Sequence, residues 1–282
     1  MTSSQAGSAL AKELFPVLGP VGIVGVRVAF AAIILLIVWR KHLRGRYSWK
    51  AYGQAALFGL ALGSMNLCFY LSISQIPLGI TVTVEFLGPL TLALALSRKW
   101  LDLLWVFLAI GGIFLLAPIG GLGNSSFSLV GISLALLAGV FWAMYILLSS
   151  RVGGVFPGGT GLAFATATAA LVLLPLGILQ ARSALLNPLL LLAGAGVGVL
   201  STALPYSLEI EALRHLPSRV FSILLSLSPA LASLMGFLLL HEHLNWQDLL
   251  AIVLISAASA GVILFQKEQP KLTERSAITT RK

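Results

Sequence analysis

The sequence predicts an all-α protein whose helices cross a membrane several times, and three observations carry that prediction. Hydrophobic residues make up 58% of the 282 residues and charged residues only 10%, against roughly 25% charged in soluble domains. The mean hydropathy of +0.99 leaves too little polar surface to coat a soluble globule. The apolar residues also occur in continuous runs of about 20, the length of a transmembrane helix. The strands of an outer-membrane barrel would instead appear as segments of about ten residues in which apolar and polar residues alternate.

Breaks in the apolar pattern divide the chain into nine spans, each long enough to cross about 30 Å of hydrocarbon at a rise of about 1.5 Å per residue. Proline, glycine or charged residues cluster at the breaks, because these residues end or interrupt membrane helices. In chain order the breaks are Arg40–Lys50, Gln75–Pro77, Arg98–Lys99, Pro118–Ser126, Arg151–Gly159, Ala181–Ala184, Arg214–Ser218 and His241–Asn245. The predicted spans are 20–40, 51–73, 78–97, 101–119, 128–148, 160–180, 185–207, 217–240 and 246–266.

Basic residues predict the orientation of these spans. Successive loops between the spans lie on alternate sides of the membrane. Of the 18 lysines and arginines, fifteen fall in the loops and tail of one side, only Arg182 falls on the other side, and Lys12 and Arg27 lie in or beside apolar segments. The positive-inside rule assigns the fifteen to the cytoplasm, together with the C-terminus. Because the basic residues lie in short loops, the net charge of +9 indicates membrane topology and no nucleic-acid partner.

An internal repeat relates the two halves of the chain. Pro77 and Pro89 recur as Pro217 and Pro229, twelve residues apart in both copies and offset by 140. Further pairs at offsets of 141 and 140 are Phe15-Pro16 with Phe156-Pro157, and Asp102 with Glu242. The offset covers five helices, an odd number, so the halves are predicted to insert with opposite orientation. The predicted units are a first repeat at 1–122, a second at 127–267 and a cytoplasmic tail at 268–282.

The repeat also predicts that Met1–Leu14 forms only the second half of a first helix. The span that starts at 128 begins about thirty residues before Phe156-Pro157, and the equivalent start in the first repeat falls before residue 1. We therefore expect a ten-helix plan with nine complete spans, and about 15 further apolar residues encoded upstream in frame.

Several stretches resemble the EamA-type branch of the drug/metabolite transporter superfamily. The resemblance follows nearly the whole chain in order, and its most specific piece is Ser201–Glu209. The other matching stretches are Ser8–Lys12, Leu14–Pro16, Asn66–Ile73, Pro77–Ile80, Glu85-Phe86, Gly88–Leu90, Ala212-Leu213 and Leu216-Pro217. The resemblance implies a five-plus-five helix fold that exports small amino acids or related metabolites across a bacterial inner membrane. The sequence departs from the family's pattern in the first half of helix 1.

Ionisable residues inside the spans are the strongest candidates for a substrate site, because a charge at bilayer depth costs at least about 2.5–3.5 kcal/mol. Glu85 lies mid-span, one turn before Pro89, and is predicted to bind a substrate ammonium, a cation or a proton. Arg27 lies seven residues inside the first span and is predicted to bind a substrate carboxylate. The alternative for both residues is a structural ion pair between them.

Polar and aromatic side chains are predicted to line the same cavity, with interhelical hydrogen bonding and packing as the alternatives. Asn66 and Tyr70 share one helix face, and Trp142 and Tyr145 share another. Near the cytoplasmic end, Glu209 is predicted to form a gate or an ion pair. The full predicted set is Arg27, Asn66, Tyr70, Glu85, Trp142, Tyr145, Tyr206 and Glu209.

No cofactor, metal site or disulfide is predicted. Cys68 is the only cysteine, and His241–His243 lacks the second histidine of a zinc motif because residue 245 is Asn. We expect His241–His243 to be a solvated loop.

The sequence favours a secondary transporter that works by alternating access, with a small molecule as substrate and protons as the candidate coupling ion. An intramembrane enzyme is disfavoured because Asp102 and Asp248 and all histidines lie in loops or at span ends. A passive channel and a non-transporting receptor or assembly protein stay as alternatives. Substrate identity, coupling ion and oligomeric state are left open.

Overall fold

A computed structural model describes residues 1–96, 102–116, 128–205, 208 and 224–265. Within these ranges every regular element is helical, which confirms the all-α prediction. The described α-helices are α1 (Thr2–Glu13), α2 (Phe15–Val38), α3 (Arg40–Leu43), α4 (Trp49–Ile73), α5 (Leu78–Glu85), α6 (Leu87–Leu96), α7 (Asp102–Leu116), α8 (Leu129–Gly153), α9 (Thr160–Ala181), α10 (Pro188–Gly198), α11 (Ser228–Leu240) and α12 (Trp246–Phe265). A 3-10 turn, Arg182–Leu186, precedes α10, and a π-helical turn, Val199–Ala203, follows it.

Long apolar helices identify a membrane protein with several spans. Five helices of the described chain are long and apolar enough to cross a membrane: Phe15–Val38, Trp49–Ile73, Leu78–Ala95, Leu129–Gly153 and Thr160–Leu186. Three shorter apolar helices are Pro188–Thr202, Ser228–Leu240 and Trp246–Gly261. The total of nine complete spans stays a prediction, because residues 97–101, 117–127 and 209–223 lie outside the described ranges.

Polar caps set the ends of several helices. Ser48 Oγ accepts a hydrogen bond from the Ala51 amide at 3.2 Å, so α4 begins two residues before the predicted start at 51. Asn187 Oδ1 accepts from the Leu189 amide at 3.0 Å. The span predicted from 185 therefore begins as an α-helix only at Pro188, and the residues before it form the 3-10 turn.

The chain bends sharply near the start of α2. Gly19 has φ +69°, a left-handed conformation that suits a residue without a Cβ, and Pro20 follows it. Gln180 of α9 accepts hydrogen bonds from the Val21 and Gly22 amides at 2.7 and 3.0 Å. These bonds satisfy amides that the break leaves without a helical partner. The membrane-length part of α2 thus starts at 20, as predicted.

The N-terminal residues form a short buried helix. At about 1.5 Å per residue, the 12 residues of α1 extend about 18 Å, less than the thickness of a bilayer core. Gly7, Ala9 and Ala11 are buried, and α1 packs against α10, the π-helical turn and α11. The Ser3 hydroxyl donates to the Leu200 carbonyl at 2.6 Å, which ties α1 to the second half of the chain.

Helices from the two halves pack closely against each other. α2 and α9 form one such pair, in which a Cβ on Gly25 would lie 2.7 Å from the Leu173 carbonyl oxygen. α4 packs between α8 and α9, and the consecutive helices α5 and α6 both lie on α8. α11 packs on α1 and α5, and α12 packs on α7. The centre of the bundle is therefore built from both halves, and it holds the candidate site.

We expect Gly88→Ala to destabilise the bundle, because α6 crosses α8 at Gly88 without room for a side chain. A Cβ on Gly88 would overlap the backbone carbonyl of Gly139. Overpacking of this kind costs about 1–3 kcal/mol of folding free energy. Thermal unfolding of the purified protein in detergent should show a lower Tm. The matched control is Gly111→Ala on α7, whose Cβ would meet no atom within 4 Å. Equal Tm values for the two variants would contradict this packing.

Candidate substrate site

Glu85 lies where a proline removes one hydrogen bond from a membrane helix. Pro89 has no N–H, so the Glu85 carbonyl loses its usual helical partner, and the helix divides into α5 and α6 around Phe86. The freed carbonyl lies against α8, where a Cβ on Gly139 would be 2.7 Å away. The Glu85 side chain is only 7% exposed. It makes no hydrogen bond or ion pair with any residue in the described part of the chain.

Arg27 of α2 is held by two side chains of α4. Its Nη1 donates a hydrogen bond to the Tyr70 hydroxyl at 2.7 Å, and its Nη2 donates to Asn66 Oδ1. Asn66 Nδ2 in turn donates to the Leu62 carbonyl at 2.8 Å, which orients the amide. Asn66 and Tyr70 lie one turn apart, and their shared face is the one that contacts Arg27.

Arg27 and Glu85 do not form the direct ion pair that the sequence left as an alternative. The ion pair found within 4 Å among the described residues joins Lys12 to Glu242 instead. The Nε of Arg27 is buried and has no hydrogen-bond partner among those residues. Each of the two side chains keeps polar atoms that have no hydrogen-bond partner among the described residues. Burying ionisable side chains without partners is costly, so these two residues are the strongest candidates for a site in the described part of the chain.

Trp142 borders this site, whereas Tyr145 lies farther along α8. Trp142 packs edge-on against Phe86, the residue that follows Glu85, with ring centroids 4.8 Å apart. Tyr145 packs instead on Phe58 of α4 at 5.0 Å. Since Phe58 precedes Asn66 by two helical turns, Tyr145 stands at a different level of the bundle from Arg27.

The remaining predicted site residues, Tyr206 and Glu209, lie outside the described residues. Thr202, a few residues before them, lies on the π-helical turn. Its Oγ1 is buried with no hydrogen-bond partner in the part of the chain that is described. In that same part, no three His, Cys, Asp or Glu side chains converge as a metal site requires.

Sequence reasoning missed a polar cluster where α1 ends and α5 begins. Lys12 Nζ lies 2.7 Å from Glu242 Oε1 and donates a hydrogen bond to the Ile76 carbonyl at 3.1 Å. Glu242 Oε2 accepts from the Leu78 amide at 2.9 Å. The prediction of a solvated loop at His241–His243 is therefore wrong for Glu242, whose side chain is only 13% exposed.

A bundle of apolar helices that buries an arginine and a glutamate, the latter beside a proline inside its helix, has the organisation of a membrane transporter. The model of the EamA-like transporter family matches residues 129–264. The chain is also 43% identical to the threonine/homoserine exporters RhtA of Salmonella typhimurium LT2 and Escherichia coli K12, over 97% of this chain and 92% of theirs. The chain therefore belongs to the EamA-like transporter family, and the resemblance in its sequence is confirmed.

Two more distant similarities concern another transporter and the fold. An uncharacterized transporter of Synechocystis is 27% identical over 81% of this chain and 70% of its own length. A solved crystal structure superposes with a TM-score of 0.62 over 94% of each chain at 18% identity, a likeness of fold alone. The relatives named here are exporters and transporters, which favours transport over catalysis.

Proposed function

We propose that the chain is a secondary transporter of the bacterial inner membrane that exports threonine, homoserine and related small amino acids. The observation that carries this proposal is the 43% identity to threonine/homoserine exporters, which extends over 97% of the chain and thus over both halves. Such substrates carry one carboxylate and one ammonium group. Arg27 and Glu85 bury the two charges that complement them.

Arg27 is proposed to bind the substrate carboxylate. A guanidinium presents five N–H donors in a rigid fork, which suits bidentate binding of a carboxylate. Tyr70 and Asn66 each accept from one Nη and hold the plane of the guanidinium. The Nε–H has no partner among the described residues. The edge formed by Nε and one Nη is therefore the side on which a carboxylate can dock.

Glu85 is proposed to bind the substrate ammonium, or a coupling proton when the substrate is absent. The burial of the Glu85 side chain without a hydrogen-bond or ion-pair partner among the described residues supports this role. Trp142, packed on Phe86, would form one wall of the pocket. Tyr145, Tyr206 and Glu209 are proposed to line the cavity farther along the transport path.

Alternating access is proposed to follow from two inverted repeats. Each half has five helices if the four-residue α3 is left out and α5 and α6 are counted as one. In the first half α1 is then the first helix and α4 the third, and in the second half α8 is the first and α10 the third. α4 packs on α8 and α10 packs on α1, so each third helix contacts the other half's first helix. The pairs α2 with α9 and α7 with α12 join helices of equal rank. The pattern of helix contacts is therefore the same when the two halves are interchanged. This symmetry supports a pseudo-two-fold axis between the halves, around which they can rock.

The Lys12–Glu242 cluster is proposed to close the outer mouth of the cavity. It joins α1 to the loop after α11, and through Ile76 and Leu78 to the start of α5. The alternation of basic loops supports placing this end outside the cytoplasm and the C-terminus inside. A conformation that is open to the outside would have to separate these three segments.

Efflux of labelled threonine and homoserine from loaded cells tests the proposed function. Cells that lack their own exporters should lose label faster when they express this chain than when they carry an empty vector. Efflux should saturate and should fall when unlabelled homoserine competes, because one site handles both amino acids. A rate that rises in proportion to concentration and resists competition would indicate a passive channel. Threonine binding by the purified protein without any efflux would indicate a receptor.

A further inference from the structure

An apolar groove of about 420 Å³ runs along the outside of the bundle between α2, α9 and α10. α2 contributes Phe30 and Ile33, α9 contributes Ile178, and the 3-10 turn contributes Leu186. Ile33, Ile178 and Leu186 are 52%, 49% and 83% exposed. In a helix bundle that spans a membrane, such a surface faces the lipid. All the side chains that line the groove are apolar except that of Arg182.

Arg182 is an unpartnered cation at the mouth of this groove. Its side chain makes no hydrogen bond or ion pair with any other described residue. Its φ of +46° lies in the region that favours glycine, so the backbone holds the arginine in an unusual orientation. Two residues earlier, Gln180 accepts hydrogen bonds from the start of α2, which anchors this end of α9.

The groove lies at the membrane face opposite the basic loop 40–50. Trp39, at the end of α2, packs against Gly158 just before α9, so α2 and α9 run antiparallel. Arg182 follows α9 and therefore stands at the other end of α2 from Arg40 and Lys41. Lys12 at the same end is already paired with Glu242. Among the described residues, Arg182 is thus the free cation of this face.

We propose that this groove binds a phospholipid with a net negative headgroup, with its phosphate on Arg182 and one acyl chain along α2. A guanidinium recognises a phosphate through paired, charge-assisted hydrogen bonds. The apolar wall from Val26 to Ile33 continues for about 10 Å along α2 at about 1.5 Å per residue. A lipid in this position contacts α2 of the first half and α9 and α10 of the second half.

The headgroup contact is tested by native mass spectrometry of the full chain in detergent, titrated with dioleoyl phosphatidylglycerol. Arg182→Gln is expected to weaken binding of the first lipid about fivefold. The matched control is Arg151→Gln, which removes the same charge from an exposed position near the end of α8 and should bind like the unmodified chain. Phosphatidylcholine with the same acyl chains has a phosphate but no net charge, so Arg182→Gln should weaken its binding less than it weakens the binding of phosphatidylglycerol. Equal phosphatidylglycerol affinity of both variants would overturn the proposal.

The acyl contact needs a second measurement. Ala29→Phe fills the groove and should lower the affinity for both lipids. A phosphatidylglycerol with a photoreactive diazirine on its acyl chain makes the test independent of whether this variant folds. Crosslinks on the unmodified protein are expected at Ile33, Ile178 and Leu186. Crosslinks distributed equally to Phe107 and Phe237, which are 70% and 54% exposed on other helices, would overturn the proposal.

Discussion

Glu85→Gln is expected to reduce the export of labelled threonine by at least about tenfold while leaving membrane insertion and folding intact. Glutamine keeps the size of the side chain but removes the charge that would bind an ammonium or carry a proton. Each 1.4 kcal/mol of lost interaction lowers affinity about tenfold, and charge interactions are stronger in a buried site than in water. Because Glu85 contacts no polar partner among the described residues, the substitution breaks no ion pair there.

The control for this experiment is Glu13→Gln. Glu13 is exposed at the end of α1 and forms no ion pair with a described residue, so its loss should leave export unchanged. Normal export by Glu85→Gln would remove Glu85 from the mechanism. If Glu85→Gln still binds threonine with unchanged affinity but its residual efflux no longer responds to an uncoupler, Glu85 carries the proton. A loss of binding with the uncoupler response retained would assign it to the ammonium.

Charge reversal at Lys12 is expected to lower export by at least about tenfold, and exchange of both charges is expected to restore part of the loss. Lys12→Glu would place two carboxylates where Lys12 Nζ and Glu242 Oε1 now lie 2.7 Å apart. Their repulsion disfavours the closed outer mouth, so a transport cycle that needs this state slows. Recovery in the Lys12→Glu, Glu242→Lys double variant would be incomplete, because a lysine cannot accept the hydrogen bond from the Leu78 amide.

A double-mutant cycle on export rate and Tm measures the coupling between the two side chains. Lys41→Glu serves as the control, since Lys41 is exposed on α3 and forms no ion pair with a described residue. If the losses of the two single variants simply add in the double variant, the two residues act independently and the outer-mouth role is wrong.

The features that the sequence predicted well are local ones, whose structure depends on residues close to them in the chain. Pro89 alone accounts for the free carbonyl of Glu85, because a missing N–H removes a specific hydrogen bond. The spacing of Asn66 and Tyr70 alone predicts a shared face. The span predicted at 160–180 matches α9 to within one residue, since Gly158, Gly159 and Arg182 bound an uninterrupted apolar run.

The hydrogen-bond and ion-pair partners of the buried charged side chains could not be predicted in this way, because they come from other parts of the chain. Sequence left Glu85 as the possible ion-pair partner of Arg27, and the structure gives Arg27 the hydroxyl of Tyr70 and the amide of Asn66 instead. Lys12 and Glu242 are 230 residues apart, and no local pattern relates them. Tyr145 shares a face with Trp142, yet it packs at another level of the bundle.

The sequence by itself determined that the chain is helical, apolar enough for a membrane and interrupted at particular prolines and glycines. These properties follow from composition and from hydrogen bonds that close within one helical turn. Only the tertiary structure decided which side chains meet across helices. That choice depends on how each helix is rotated and how closely it crosses its neighbour, as at Gly88 and Gly139, where backbone contact sets the approach of α6 to α8.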